Sequence, residues 1–216
     1  MKRVEVRRAY KAQQKATPIV TLLTGIIIEP PLSSKAMAMA TEGSGITTDD
    51  VNALCKKALQ GTGVKFLGVV PAHELPPFSS LRENSKRPMA FVANTHTKDR
   101  PGEHWVAFWL PKTGTGKPFM FDSFARSPEE MGHPDWRQWL NAVTWLLHST
   151  PVVRILHADI ESTSWGRQKT VVQDESSDLC GPLCAFYLAH VSRNIKFAYD
   201  SIIPETVISR CLFSLK

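Results

Sequence analysis

The chain has 216 residues, 43% of them hydrophobic, with six Trp and ten Phe; that is enough apolar material for one sizeable core and argues against a wholly disordered chain. The formal net charge is +6, but residues 1–43 hold seven Lys/Arg against three acids, which leaves 19 basic and 17 acidic residues for the rest. The four cysteines, Cys55, Cys180, Cys184 and Cys211, show neither CxxC spacing nor grouped His partners, which argues against a secreted disulfide framework and a structural zinc site.

The basic N-terminus fits an arm that contacts phosphates, a solvated tail or a targeting segment, and formal charge does not separate these. Within it, residues 19–28 form the longest apolar run, ten residues, too short to span a bilayer. Pro30 and Pro31 close that run, and the Ser, Ala, Met, Thr and Gly that follow read as a linker. The expected organisation is an extension over residues 1–43, peripheral or flexible, and a domain over 44–216.

Thr47 to Asp50 offer an N-cap and early acids; Val51, Leu54, Cys55, Ala58 and Leu59 then fall at helical spacing, and Gly61 ends the turn. Residues 66–70 read as a short strand, and the two Pro-containing patches near 76 and 88 bracket a loop. Strands follow at 89–95, 104–110 and 119–122, the middle one rich in aromatics, with a Gly-containing turn between the last two. Residues 134–148 carry Trp136, Trp139, Leu140, Val143, Leu146 and Leu147 on one helical face. Strands are expected at 152–156 and 169–172, an apolar helix from Cys180 through Val191, and a short helix after Pro204. Helices at both ends with strands between them predict an α+β fold, a mixed sheet packed against helices.

Cys180 to Cys184 read C-G-P-L-C at the start of that apolar helix. Pro182 is tolerated in a first turn, which puts Cys180 at or just before the helix N-terminus, where free N–H groups and the dipole favour a thiolate. Gly181 keeps the neighbouring backbone approachable. On the residues alone, Cys180 is either a nucleophile or a buried cysteine of a core helix, and Cys184, one turn deeper, fits the core better. His104, which opens the most apolar strand, is either a general base or an ordinary strand-edge histidine. The remaining His residues sit in loops, beside helices or inside one. Asp122 ends a strand that can pair antiparallel with that of His104, which sets it up either to orient an imidazole or to start a turn. Gln173, seven residues before Cys180, has a side-chain amide suited to an oxyanion, though a Gln at a strand end alone says little.

Three motifs carry a resemblance: E-H-W-V-A-F-W-L-P from Glu103 to Pro111, F-D-S-F-A from Phe121 to Ala125, and Q-D-E-S-S-D-L-C-G-P-L-C from Gln173 to Cys184. Together they resemble adenain, the adenovirus maturation endopeptidase, and more distantly the SUMO/ubiquitin-like-specific proteases, over roughly residues 46–195. The resemblance implies a papain-like/adenain-like cysteine protease fold. By position, His104 matches the catalytic His, Trp105 the aromatic beside it, Asp122 the acidic third member, Gln173 the oxyanion-hole Gln and Cys180 the nucleophile. Trp105 and Gly181 are expected in the substrate cleft or its packing.

The resemblance further implies cleavage of viral precursor proteins at Gly-containing sites, action in the virion and host nucleus, a monomer, stimulation by DNA through basic residues, and no small-molecule or metal cofactor. No Cys lies in residues 123–179, where the family holds the cysteine that links its activating peptide, so activation through that disulfide is not expected. The alternatives are a ubiquitin/SUMO-like isopeptidase, an inactive DNA-binding virion protein on a protease fold, and a cytoplasmic protein for which residues 1–43 are a targeting segment.

Overall fold

The computed structural model describes residues 46–96, 104–147 and 165–214, all within one compact unit, Met39–Lys216. The extension at 1–43, the boundary at 44 and the strand expected at 152–156 lie outside the described residues. In chain order the described elements are α1 (Thr48–Leu59), β1 (Lys65–Val70), α2 (Phe78–Asn84), β2 (Met89–Asn94), β3 (Trp105–Leu110), β4 (Phe119–Phe121), α3 (Pro134–Leu147), β5 (Gly166–Arg167), α4 (Cys180–Val191) and α5 (Glu205–Ser214).

The strands lie side by side in the order β1-β2-β3-β4-β5. The outer pairs β1–β2 and β4–β5 are parallel and the inner pairs β2–β3 and β3–β4 antiparallel, so the sheet is mixed, as expected for an α+β chain. The period of two along a strand divides its side chains between two cores. Ala90 and Val92 of β2 and Trp105 and Ala107 of β3 join α1, α4 and α5 on one face. Met89, Phe91, Val106, Phe108 and Leu110 meet Leu81 of α2 and Trp136, Leu140 and Val143 of α3 on the other. β2 is buried on both sides, which is why it reads as an unbroken apolar run.

α1 starts where its cap residues place it. The Thr47 hydroxyl accepts the Asp50 N–H at 3.2 Å and the Asp50 carboxylate accepts the Thr47 N–H at 3.0 Å, a reciprocal capping box. Its buried residues Val51, Cys55, Ala58 and Leu59 form the face turned to α4 and the sheet. α4 is different: every residue from Leu183 to His190 is buried. A helix apolar all round has no solvent face and belongs in the middle of a domain, and here it runs between the sheet, α1 and α5.

Two expectations are corrected. The stretch between the two Pro patches contains α2, which begins directly after Pro77 and is anchored by the single buried residue Leu81. Residues 169–172 are not a strand; the fifth strand is Gly166–Arg167, paired with Phe119 and Met120. The Gln168 side chain donates to the Thr170 carbonyl at 2.9 Å and turns the chain off the sheet. Val172 then bonds to the Ser123 carbonyl and accepts from Ile203, loops rather than a ladder. The true strand went unread because its first residue is Gly166, where a Cβ would sit 2.6 Å from the Phe119 ring.

Candidate active site

Cys180 is the first residue of α4, and the N-cap Leu179 has no side chain to satisfy the free N–H groups there. Backbone N–H groups of Trp105, Gly181 and Cys180 itself act on the Cys180 thiol. Burial pushes the thiol up, those three donors pull it down, nearby Asp178 adds to the upward push, and the net is a raised thiol. The Cys184 thiol on the Trp105 carbonyl fixes the site's geometry: it brings the head of β3, and with it His104, to the start of α4, across 79 residues of chain. Of the other cysteines, Cys55 is pushed up to about 12 by burial, and Cys184 is buried with its thiol on the Trp105 carbonyl at 3.3 Å. Both are core residues.

His104 immediately precedes β3 and Asp122 immediately follows β4. The ladder, with Ala107 opposite Phe121, brings these two strand ends together, and the His104 Nε2 lies 2.5 Å from Asp122 Oδ1. The other ring nitrogen, Nδ1, is buried and has no hydrogen-bond partner among the described residues. Asp122 is 1% exposed and fully furnished with donors. Oδ1 also accepts the Phe124 N–H at 3.2 Å, and Oδ2 accepts the Arg126 N–H at 2.8 Å and the Arg126 Nε at 3.1 Å. Burial pushes this carboxyl up, but the His104 hydrogen bond and charge, followed by those of Arg126, outweigh it and hold the group below its ordinary value. A tight turn makes this possible: Ala125 adopts φ +59° and its N–H bonds the Asp122 carbonyl at 2.9 Å, folding Arg126 back onto the carboxylate. Left-handed Ala carries a cost of about 1 kcal/mol, and Arg167 secures it by donating to the Ala125 carbonyl at 2.8 Å.

Gln173 lies on the loop between β5 and α4, 2% exposed. Its Oε1 accepts from the Ser123 hydroxyl at 2.6 Å, and its Nε2 donates to the Ser177 carbonyl at 2.6 Å. Trp105 is buried with an indole N–H that meets no partner among the described residues. Gly181 is also buried, and its open side faces α1: a Cβ there would lie 2.6 Å from Val51 Cγ2 and 3.4 Å from Ile46 Cγ2. What Gly181 allows is the close approach of two helices.

All four polar residues singled out from sequence therefore gather at one end of the sheet, around the head of α4. Three more were not foreseen. Ser123 bonds Gln173, Arg126 bonds Asp122, and the Phe124 ring lies 5.2 Å from the His104 ring, with the Arg126 guanidinium above its other side at 5.1 Å. The sequence signal for them is only their place in F-D-S-F-A-R, directly after the acid.

With this arrangement in view, the comparisons with known proteins are informative. Among solved structures, the selenomethionine form of the ASFV protease aligns with 79% of this chain and 67% of its own, at TM-score 0.55 and 15% identity. The SUMO protease Ulp1 with its catalytic cysteine oxidised to a sulfenic acid aligns over 98% of this chain and 90% of its own, at TM-score 0.52 and 8% identity; the sulfinic acid form gives 0.51 and 10%, over 99% and 92%. These likenesses are of fold. No curated protein matches by sequence. The adenovirus endoprotease family profile, in contrast, matches residues 66–210, a span that contains His104, Asp122, Gln173 and Cys180. The chain belongs to the adenovirus endoprotease family, a family of cysteine proteases.

Proposed function

We propose that the protein is an endopeptidase in which Cys180 is the nucleophile, His104 the general base and acid, Asp122 the residue that orients His104, and Gln173 an oxyanion donor. The observation that carries this reading is a buried histidine whose Nε2 is held by Asp122 and whose Nδ1 has no partner among the described residues, at a strand head tied to the start of α4 by the Cys184 thiol on the Trp105 carbonyl.

With Nε2 committed to Asp122, Nδ1 is the nitrogen that takes the thiol proton as the sulfur attacks the scissile carbonyl. Asp122 fixes the tautomer and stabilises the imidazolium. The developing oxyanion is met by the Cys180 N–H and by the Gln173 amide. His104 then protonates the leaving amine, the C–N bond breaks, and water, deprotonated by His104, clears the thioester to regenerate the thiol. Trp105, buried next to His104, forms the floor beside the attacking sulfur.

The family supports substrates that are precursor proteins of a DNA virus or virus-like element, cut at Gly-containing sites during particle maturation in the virion and host nucleus, with DNA as a stimulating partner through basic residues. No described helix is long and apolar enough to cross a membrane.

The test is peptidase activity on Leu-x-Gly-Gly and Leu-x-Gly-x-Gly peptides, with and without DNA, for wild type and Cys180→Ala. Cleavage that vanishes in the variant supports the nucleophile, and a rise with DNA supports the partner. Failure on these peptides with release of a ubiquitin-like protein from a lysine conjugate would replace the endopeptidase with an isopeptidase. Salt-dependent DNA binding without any hydrolysis would replace it with an inactive binding protein.

A further inference from the structure

The geometry points to Ser123 as a positioning residue that holds the Gln173 amide in the orientation needed for oxyanion stabilisation. This rests on the oxyanion role proposed above for Gln173 and adds a residue to it.

A primary amide has one acceptor oxygen and two N–H donors on a single rotatable plane. Here the plane is gripped at both ends. The Ser123 hydroxyl donates to Oε1 at 2.6 Å, and one N–H of Nε2 donates to the Ser177 carbonyl at 2.6 Å. Among the described residues that leaves one N–H uncommitted, and the two grips decide where it points. Neither grip is loose. Ser123 is 1% exposed, it directly follows the acid Asp122, and its own carbonyl accepts the Val172 N–H at 2.8 Å, which ties it to the strand of chain that delivers Gln173. Ser177 is fixed in turn by Asp174, whose carbonyl accepts both the Ser177 N–H at 3.0 Å and the Ser177 hydroxyl at 2.8 Å.

The two grips act differently. The Ser177 carbonyl chooses which end of the amide faces it, because a carbonyl repels Oε1. It does not fix the far end of the plane. Among the described residues only Ser123 restrains Oε1, and without its hydroxyl that buried acceptor loses this donor and the amide swings about the Ser177 bond. Preorganised donors stabilise a transition state because they need no reorientation when charge develops, so a swinging amide loses part of that benefit. Ser123 also couples the two halves of the site: one dipeptide, Asp122–Ser123, sets the imidazole with its first residue and the oxyanion donor with its second.

Two measurements test this, the first independent of any substrate. The side-chain amide order parameter of Gln173, read by nuclear magnetic relaxation, is expected in the rigid range in wild type and below about 0.6 in Ser123→Ala, and to return towards the wild-type value in Ser123→Thr, which keeps the hydroxyl. Thermal melting of each variant confirms that it is folded. An amide equally rigid in folded Ser123→Ala overturns the proposal. The second is a kinetic cycle on the peptide that wild type cleaves best. Gln173→Ala is expected to lower kcat about a hundredfold and Ser123→Ala about tenfold, with KM within about twofold, while Ser123→Ala added to Gln173→Ala changes kcat by less than about twofold. A tenfold loss that persists in the Gln173→Ala background shows that Ser123 acts elsewhere and overturns the proposal. If Gln173→Ala leaves kcat unchanged, the oxyanion role of Gln173 fails, and the proposal falls with it, for a reason distinct from a rigid amide in Ser123→Ala.

Discussion

Gly181 lies so close to Val51 that a methyl group added to it would sit 2.6 Å from Val51 Cγ2, well inside van der Waals contact. α1 and α4 are therefore locked at a separation only glycine permits. Gly181→Ala is expected to destabilise the fold by about 1–3 kcal/mol through overpacking, measured as a shift in the urea midpoint at unchanged slope. Val51→Ala, which trims the clashing methyl, should make the double variant lose less than the sum of the two single losses. Strict additivity would show that the strain lies elsewhere.

Asp122→Asn keeps the size of the side chain but cannot accept from every donor that now surrounds the carboxylate. The amide N–H₂ must face either His104 or Arg126, and the charge that stabilises the imidazolium is gone. We expect kcat/KM to fall by about a hundredfold to ten-thousandfold, with Cys180 still present and the protein still folded by circular dichroism. A loss below about threefold would remove Asp122 from the catalytic set.

The same carboxylate makes a prediction for stability. Its folded value lies below the ordinary aspartate value of about 3.9. A group with a depressed folded value contributes stability that is fully present above its unfolded value and lost as pH falls through the folded one. Wild type should therefore lose stability below about pH 4 more steeply than Asp122→Asn, read from urea midpoints between pH 6 and pH 2. Asp50 and Glu129 are also held low by neighbours, so the difference between the two proteins, not the wild-type curve alone, reports Asp122.

Burial leaves the Cys180 thiol raised in spite of three backbone donors. The resting site then holds a thiol rather than a preformed ion pair, and its alkylation by iodoacetamide should keep accelerating as pH rises through 7 and beyond 8. A thiolate already formed in the resting enzyme would instead show a rate that levels off in the acidic range. Cys55 and Cys184, both buried and both raised, should stay unmodified in the native protein, which peptide mapping after alkylation would show.

Much of the site was readable because each of its parts is a local event. A Pro two residues after Cys180 is tolerated in the first turn of a helix, so the place of Cys180 at that helix's start followed from backbone chemistry. The aromatic-rich run H-W-V-A-F-W-L and the Gly-containing turn after Leu110 gave an antiparallel pair whose ends meet, and that placed His104 beside Asp122. What could not be read is non-local. α2 has one buried residue and therefore no periodicity. β5 is two residues long and is held by parallel pairing to Phe119 and Met120. On sequence alone Gly181 keeps the neighbouring backbone approachable; the close approach the structure adds is that of Val51, 130 residues earlier. Ser123 and Arg126 are ordinary polar residues until the turn at Ala125 folds them onto Gln173 and Asp122.

The helix that carries Cys180 is also the one with no solvent face. Most enzymes mount their reactive groups on loops that can fray while the scaffold stands. In this protein the cysteine proposed as nucleophile is mounted on the keystone: loosening it means withdrawing the piece against which the sheet, α1 and α5 all close. Loss of activity and loss of the folded domain should then coincide in a single cooperative transition, with no intermediate regime of a folded but disarmed enzyme.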